Sequence, residues 1–366
     1  MCRIGRKEIT MGALASCPFP LLNKWKNIVD GNRIAGFFDA ILCSYSQIIF
    51  NDNSFSGLIL IIATFCVSPQ VGVGGLVCTV TAVIYLKLLK VDPLMIRLGV
   101  YGFCPALTGI IMASLIFSDG MNGYFFVFFV LAAIFCVTVN LALAVVFGKW
   151  DASGLGLPFG FTTVVFMAAA QNMAYVAQPE TIVAHAPAAV DMAMITAMSG
   201  MDWIQAVYAG ICELFGGWTL FPAILIGIAL LCGSRIDFVS SILGAAVSTG
   251  AAVFFGIPTT PIMLGLYGYS GMLLMLVLTR SFKITPATYV LFLIFAAITS
   301  ILAAWLTVST GLIGAVGGPI PFSLACSALM VAAPNIGSME YNAPKYWGVP
   351  ETIPAVKKAM LAQEAE

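Results

Sequence analysis

The chain has 366 residues, of which 61% are hydrophobic and 9% are charged. A water-soluble domain carries about 25% charged residues, so this chain cannot cover a water-facing surface, and its mean hydropathy of +1.03 marks a polytopic membrane protein. The formal net charge of zero leaves no electrostatic footprint for a nucleic-acid partner.

Residues 1–33 carry Arg3, Arg6, Lys7, Lys24, Lys26 and Arg33. No apolar run with a small-residue cleavage site follows, so a signal peptide is not expected. The positive-inside rule places this segment in the cytoplasm, either along the membrane surface or as a tail. The first apolar run, Ile34–Phe50, contains Asp39 and Gln47. A polar turn at 51–57 leads into Leu58–Val67, which is short for a span of about 20 residues. Val71–Leu89 and Leu98–Phe117 follow, then the long run Tyr124–Phe147. After a loop at 149–154 comes Leu155–Ala170, where Pro158 suits the first turn of a helix. The stretch 171–202 is the most polar of the interior and reads as a connection. Beyond it lie Trp203–Phe215, Leu220–Leu231, Phe238–Phe255, Ile262–Leu278, Tyr289–Val308 and Gly311–Ala333.

The second set of runs repeats the first. Tyr101 in VYGF and Tyr267 in LYGY are 166 residues apart (267 − 101), and so are Gln47 and Glu213 (213 − 47). The triplets LPF at 157–159 and IPF at 320–322 recur at 163 (320 − 157), as if one loop of the second half were three residues shorter. This order predicts an all-α polytopic membrane protein of about ten transmembrane helices plus short re-entrant helices. It would comprise two inverted repeats of five helices around a central pore, because an odd number of spans per repeat reverses the second half. The expected division is a cytoplasmic N-terminal segment (1–33), a first repeat (34–177), a connection (178–202), a second repeat (203–333) and a cytoplasmic tail (334–366).

Glu213 is the sharpest single residue, because it stands inside an apolar run between Cys212 and Leu214. A carboxylate at the centre of a span costs about 2.5–3.5 kcal/mol to insert, so it faces a cavity or a partner. The competing explanation is a carboxylate snorkelling at a helix end or capping a broken helix. Gln47 mirrors Glu213 and favours the first explanation. Phe50, Phe103 and Tyr269 are the aromatic candidates. A single ring in a span is more often packing, but here a Gly-aromatic pair recurs, and glycine permits a broken helix beside a cavity. Arg97, Asp119, Lys149, Asp151, Arg235, Asp237, Arg280 and Lys283 sit at run boundaries and are expected to mark the interfaces; Asp39 is either interfacial or paired with Arg33. Eight cysteines in apolar runs read as small packing residues, and one histidine, His185, excludes a multi-histidine metal site. No GxSxG, HExxH or paired-aspartate pattern suggests an enzyme, and no cofactor is expected.

At these residues the chain resembles the urea transporter family. The resemblance rests on Gln47-Ile48-Ile49-Phe50, Tyr101-Gly102-Phe103, Ala106-Leu107-Thr108-Gly109, Gly210-Ile211-Cys212-Glu213, Leu266-Tyr267-Gly268-Tyr269 and the two Pro-Phe pairs, spanning about residues 34–340. It implies a homotrimer with one narrow pore per protomer, in which a planar solute passes through an aromatic slot beside a row of acceptors. Carried over, the slot walls would be Phe50, Phe103, Leu107, Tyr269 and Leu273. Gln47 and Glu213 would supply hydrogen bonding at the two ends, with Leu214 beside the latter. The implied solute is urea or a closely related small amide, carried passively in a cell membrane. The rival is a proton- or ion-coupled carrier using Glu213. The chain departs from the family at Cys104 and Ser270, where asparagine is usual, and at Gly156 and Pro319, where threonine is usual. Gly156 is expected to leave room at the pore centre that a threonine would fill.

Overall fold

The computed structural model describes Val29 and residues 32–117, 120–176, 184–186 and 190–364. The expectation for residues 1–33 therefore lies almost wholly outside the described residues, as do Asp119 and much of the connection around 178–189. The described chain is helical, with a lone antiparallel bridge between Phe282 and Tyr341.

The first half comprises α1 (Arg33–Ser46), α2 (Ser54–Val67), α3 (Pro69–Leu88), α4 (Pro93–Arg97), α5 (Phe103–Leu115), α6 (Gly123–Gly148) and α7 (Leu157–Ala170). The second comprises α8 (Gly200–Glu213), α9 (Leu220–Gly233), α10 (Arg235–Phe254), α11 (Thr259–Met263), α12 (Gly268–Ser281), α13 (Pro286–Gly311) and α14 (Ile320–Ala332). The terminal α15 (Ile353–Glu364) follows. Short polar residues punctuate the apolar chain and start the helices, since the first N–H groups need acceptors that lipid cannot supply. Asn32 caps α1, Asn53 caps α2, and Asn122 caps α6. Ser68 and Ser234 cap α3 and α10, 166 residues apart (234 − 68). Thr285 and Thr288 form a capping box around Pro286, the first residue of α13.

Four helices are long and apolar enough to cross a membrane unaided: α3, α6, α10 and α13. A fifth crossing is possible if α1 and its 3-10 extension to Ile49 join α2, although the two are bent by 78°. The remaining apolar helices α5, α7, α9 and α14 have 13 or 14 residues. At 1.5 Å per residue each covers about 20 Å, two thirds of a hydrocarbon core of about 30 Å. Several runs that hydropathy reads as whole spans thus form helices shorter than the core is thick.

Every element from α1 to α7 has a counterpart between α8 and α14 in the same order. The starts of α2, α3 and α4 precede those of α9, α10 and α11 by 166 (220 − 54, 235 − 69, 259 − 93), and α6 and α7 precede α13 and α14 by 163 (286 − 123, 320 − 157). The missing three residues fall between α12 and α13, where four residues replace the seven between α5 and α6 (286 − 281 − 1 against 123 − 115 − 1).

The backbone repeats too. Phe50, Lys90, Asp151 and Leu155 have left-handed φ, and their counterparts Gly216, Gly256, Gly314 and Gly318 have it as well. Gly99 and Gly265 are left-handed in both halves, and a Cβ on either would enter the backbone of the facing helix, at Cys43–Ser44 and at Ala209–Gly210. Contacts between the halves are reciprocal: Asn51 lies against Gly233, and Gly217, 166 after Asn51, lies against Val67, 166 before Gly233.

Packing follows the small-residue logic of membrane helices. Helix α3 lies on α5 at Gly74 and Gly109, and α10 lies on α12 at Gly244 and Gly271. Two boundary charges pair with each other: Arg280 donates two hydrogen bonds to Asp237, at 2.8 and 2.6 Å, and both are almost fully buried in the protein. Asp39 is also buried; it accepts a hydrogen bond from Ser54 (2.5 Å) and lies 3.8 Å from Arg97, so its cation is Arg97 and not Arg33.

Candidate functional site

Helix α1 does not run on into α2. It tightens into a 3-10 turn over Gln47–Ile49 and reverses at Phe50, whose φ of 56° is left-handed. A bulky residue in that region costs about 1–3 kcal/mol unless its surroundings impose it. The Phe50 N–H donates to the Gln47 carbonyl and the Asn51 N–H to that of Ser46, which closes the turn. The ring it presents lies 6.3 Å from Phe103, the first residue of α5, and 6.4 Å edge-on from Trp347 of the C-terminal segment. Leu107, one turn along α5, is buried beneath. Gln47, Phe50 and Phe103 are half-buried.

The second half builds the same corner with different side chains. Glu213 ends α8, Leu214 and Phe215 follow, and the chain reverses at Gly216. Glycine meets the left-handed requirement without cost there, so this corner has no ring matching Phe50. Gly216 faces Ser114 and Ile110 of α5 instead. The last turn of α8 sits on the first turn of α12, with Gly210 against Gly268 and the Tyr269 N–H. Leu214 and Leu273 are buried, and Glu213 and Tyr269 are half-buried. The six apolar or aromatic candidates, Phe50, Phe103, Leu107, Leu214, Tyr269 and Leu273, all belong to one continuous cluster. Among the described residues neither the Gln47 amide nor the Glu213 carboxylate has a side-chain hydrogen bond.

Between the corners the N-termini of α7 and α14 meet. Gly156 lies against Pro319, its own counterpart at 163 (319 − 156), and its N–H donates to Ser323 Oγ at 3.1 Å. The room expected at Gly156 is therefore taken: a Cβ there would lie 2.7 Å from Pro319 Cγ and 3.1 Å from Ser323 Oγ. The left-handed residues just before each half-helix offer their carbonyls to the site. Cys104 Sγ donates to the Leu155 carbonyl (3.3 Å), and the Tyr269 hydroxyl donates to that of Gly318 (2.5 Å). The Cys104 departure and the tyrosine hydroxyl thus both act on backbone oxygens.

Sequence comparison decides what this arrangement belongs to. The urea transporter family model matches residues 38–334. The chain belongs to the urea transporter family. It is 25% identical over 322 residues to urea transporter 1 of Ovis aries, across 85% of this chain and 81% of that protein. Urea transporter 1 of Capra hircus matches over 324 residues at the same identity, and that of Rattus norvegicus over 276 residues. Like other urea transporter sequences, this one encodes an integral, multi-pass membrane protein.

Trp347, Ser323, Leu155 and Gly318 were missed in the sequence. Leu155 and Gly318 carried a signal, since they precede the two Pro-Phe helices at the offset of 163 (318 − 155). Trp347 carried none, because it reaches Phe50 from beyond the repeats. The C-terminal segment is held by an Asn342 N–H to Ser281 carbonyl bond (2.7 Å), by Glu340 between Lys357 and Lys283, and by Glu351 at the α10 cap. Lys357, then Lys283, hold the Glu340 carboxyl below the usual carboxylate range.

Proposed function

We propose that the protein carries urea, or a closely related small amide, passively through a narrow pore between the two corners. The observation that carries this is the family match over residues 38–334, the stretch that holds both acceptor-aromatic corners. A flat neutral amide has N–H donors and one carbonyl. Gln47 and Glu213 offer acceptors at the two ends, and Phe50, Phe103, Leu107, Tyr269 and Leu273 offer thin apolar walls that a hydrated ion cannot enter without losing its shell. Leu214 packs beside Glu213. The helix N-termini meeting at Gly156 and Pro319 carry partial positive charge, which disfavours cations at the centre and welcomes a carbonyl oxygen.

The reading extends to architecture. The reciprocal contacts and repeated left-handed positions support two inverted repeats about a pseudo-two-fold axis near Gly156 and Pro319. The family resemblance carries a homotrimer with one pore per protomer in the cell membrane. The basic residues Arg33, Lys87, Lys90 and Arg97 support a cytoplasmic N-terminus, and an even number of crossings returns the tail to that side. Stopped-flow permeability of proteoliposomes to urea, acetamide, formamide, ammonia and water tests the function. Urea is expected to lead, with the same rate whether or not a pH gradient is present. Urea flux that needs the gradient would transfer the reading to a coupled carrier.

A further inference from the structure

A cavity of about 760 Å³ lies away from both corners, between the start of α1, the end of α3 and α4. Arg33, Lys87, Lys90 and Arg97 converge on it, from α1, the last turn of α3, the turn that follows it and α4, and among the described residues no carboxylate lines it. Arg97 is engaged by Asp39. Lys87 is held with its ammonium 4.8 Å above the Phe37 ring, and neither it, Lys90 nor Arg33 has a carboxylate partner among the described residues. We infer that this cavity binds the phosphate-bearing headgroup of an anionic phospholipid.

Two bland explanations exist for such charges. Lysines at a helix C-terminus complement its dipole, and basic residues gather at the cytoplasmic face. Neither requires charges from three elements to line a shared cavity. The fold does not need them either. At the counterpart positions 166 residues on stand Ser199, Val253, Gly256 and Met263, and the second half forms the same elements without a charge there. The choice of a lipid over a free phosphate comes from the rim. Ile34, Phe38, Leu88 and Leu94 expose apolar side chains beside the cationic lining, with Leu88 74% exposed and Ile34 69%. Cations next to lipid-facing aliphatic groups match a molecule whose head is anionic and whose tails are apolar.

The test uses the full-length protein in detergent, with phosphatidylglycerol or phosphatidylcholine added and binding followed by native mass spectrometry and thermal unfolding. The double variant Lys87→Ala/Lys90→Ala is expected to bind phosphatidylglycerol about thirtyfold more weakly, from about 1 kcal/mol per basic side chain. Phosphatidylcholine binding is expected not to change. Lys87→Arg/Lys90→Arg keeps the charge and is expected to bind like wild type, which separates lost charge from lost fold. Equal phosphatidylglycerol binding by wild type and the alanine variant overturns the proposal. So does equal stabilisation by inorganic phosphate alone, which would make the site one for a free anion.

Discussion

Phe50 places a ring on a left-handed backbone, where a bulky residue is costly to the fold. Its counterpart Gly216 meets the same left-handed backbone without strain, so the turn itself does not call for a ring. Replacing Phe50 by glycine relieves strain of about 1–3 kcal/mol while losing the contacts with Phe103 and Trp347, so stability is expected to change by less than about 2 kcal/mol. What should change is the pore: with one wall removed, methylurea is expected to gain on urea in proteoliposome flux. An unchanged ratio would show that the ring does not face the solute path. Gly99 and Gly265 test the duplication at the same scale. Alanine at either would drive its Cβ into the facing backbone at positive φ, and each is expected to cost at least about 1–3 kcal/mol. Gly250→Ala, with nothing within 4 Å of its Cβ, is expected to stabilise by about 0.5–1 kcal/mol. Thermal unfolding of the three variants separates these outcomes. A mild Gly265→Ala beside a severe Gly99→Ala would break the equivalence of the two corners.

At the scale of elements, the C-terminal segment is the clearest case of a contact governed by charge. Glu340 bonds Lys357 and Lys283, and its carboxyl lies below the usual range for that reason. A lowered folded value means that its contribution is complete above the ordinary carboxylate pKa and is lost as pH falls through the lowered value. Glu340 is half-exposed, so the effect is screened by salt. The hydrogen-exchange protection factors of residues 339–343, corrected for the intrinsic exchange rate at each pH, are expected to fall on acidification through that range and to depend less on pH at high salt. Protection that ignores both would assign the docking to Met339, Ala343 and the Asn342 N–H bond alone. The elements also show what was legible in sequence. Tyr101 with Tyr267, Gln47 with Glu213 and the LPF and IPF triplets located the recurrence, and the shorter connection between α12 and α13 accounts for the drift from 166 to 163. Hydropathy could not give the length of each helix, because a short helix and a long one are both apolar throughout, so the 13- and 14-residue α5, α7, α9 and α14 were not told apart from α3, α6, α10 and α13. Nor could local sequence reveal a long-range contact. Gly156 looked like open space because nothing in its neighbourhood announces Pro319, and the pairing of Arg280 with Asp237 was hidden because the two lie 43 residues apart.

For the molecule as a whole, the family match, the two acceptor-aromatic corners and the meeting of half-helix N-termini point to one function, passage of a small neutral amide. The claim most exposed to test is that Glu213 accepts hydrogen bonds from that solute without shuttling a proton. Losing one acceptor for a polar solute costs about 1–3 kcal/mol, so Glu213→Ala is expected to lower urea flux by roughly fivefold to a hundredfold. Glu213→Gln, which keeps an acceptor oxygen as Gln47 does at the mirrored corner, is expected to stay close to wild type. The decisive measurement is stopped-flow urea permeability of liposomes carrying wild type, Glu213→Ala and Glu213→Gln, with and without a pH gradient. The account predicts loss only in the alanine variant and no effect of the gradient. Urea flux unaffected by alanine, or a glutamine variant as inactive as alanine with wild-type flux driven by the gradient, would contradict it.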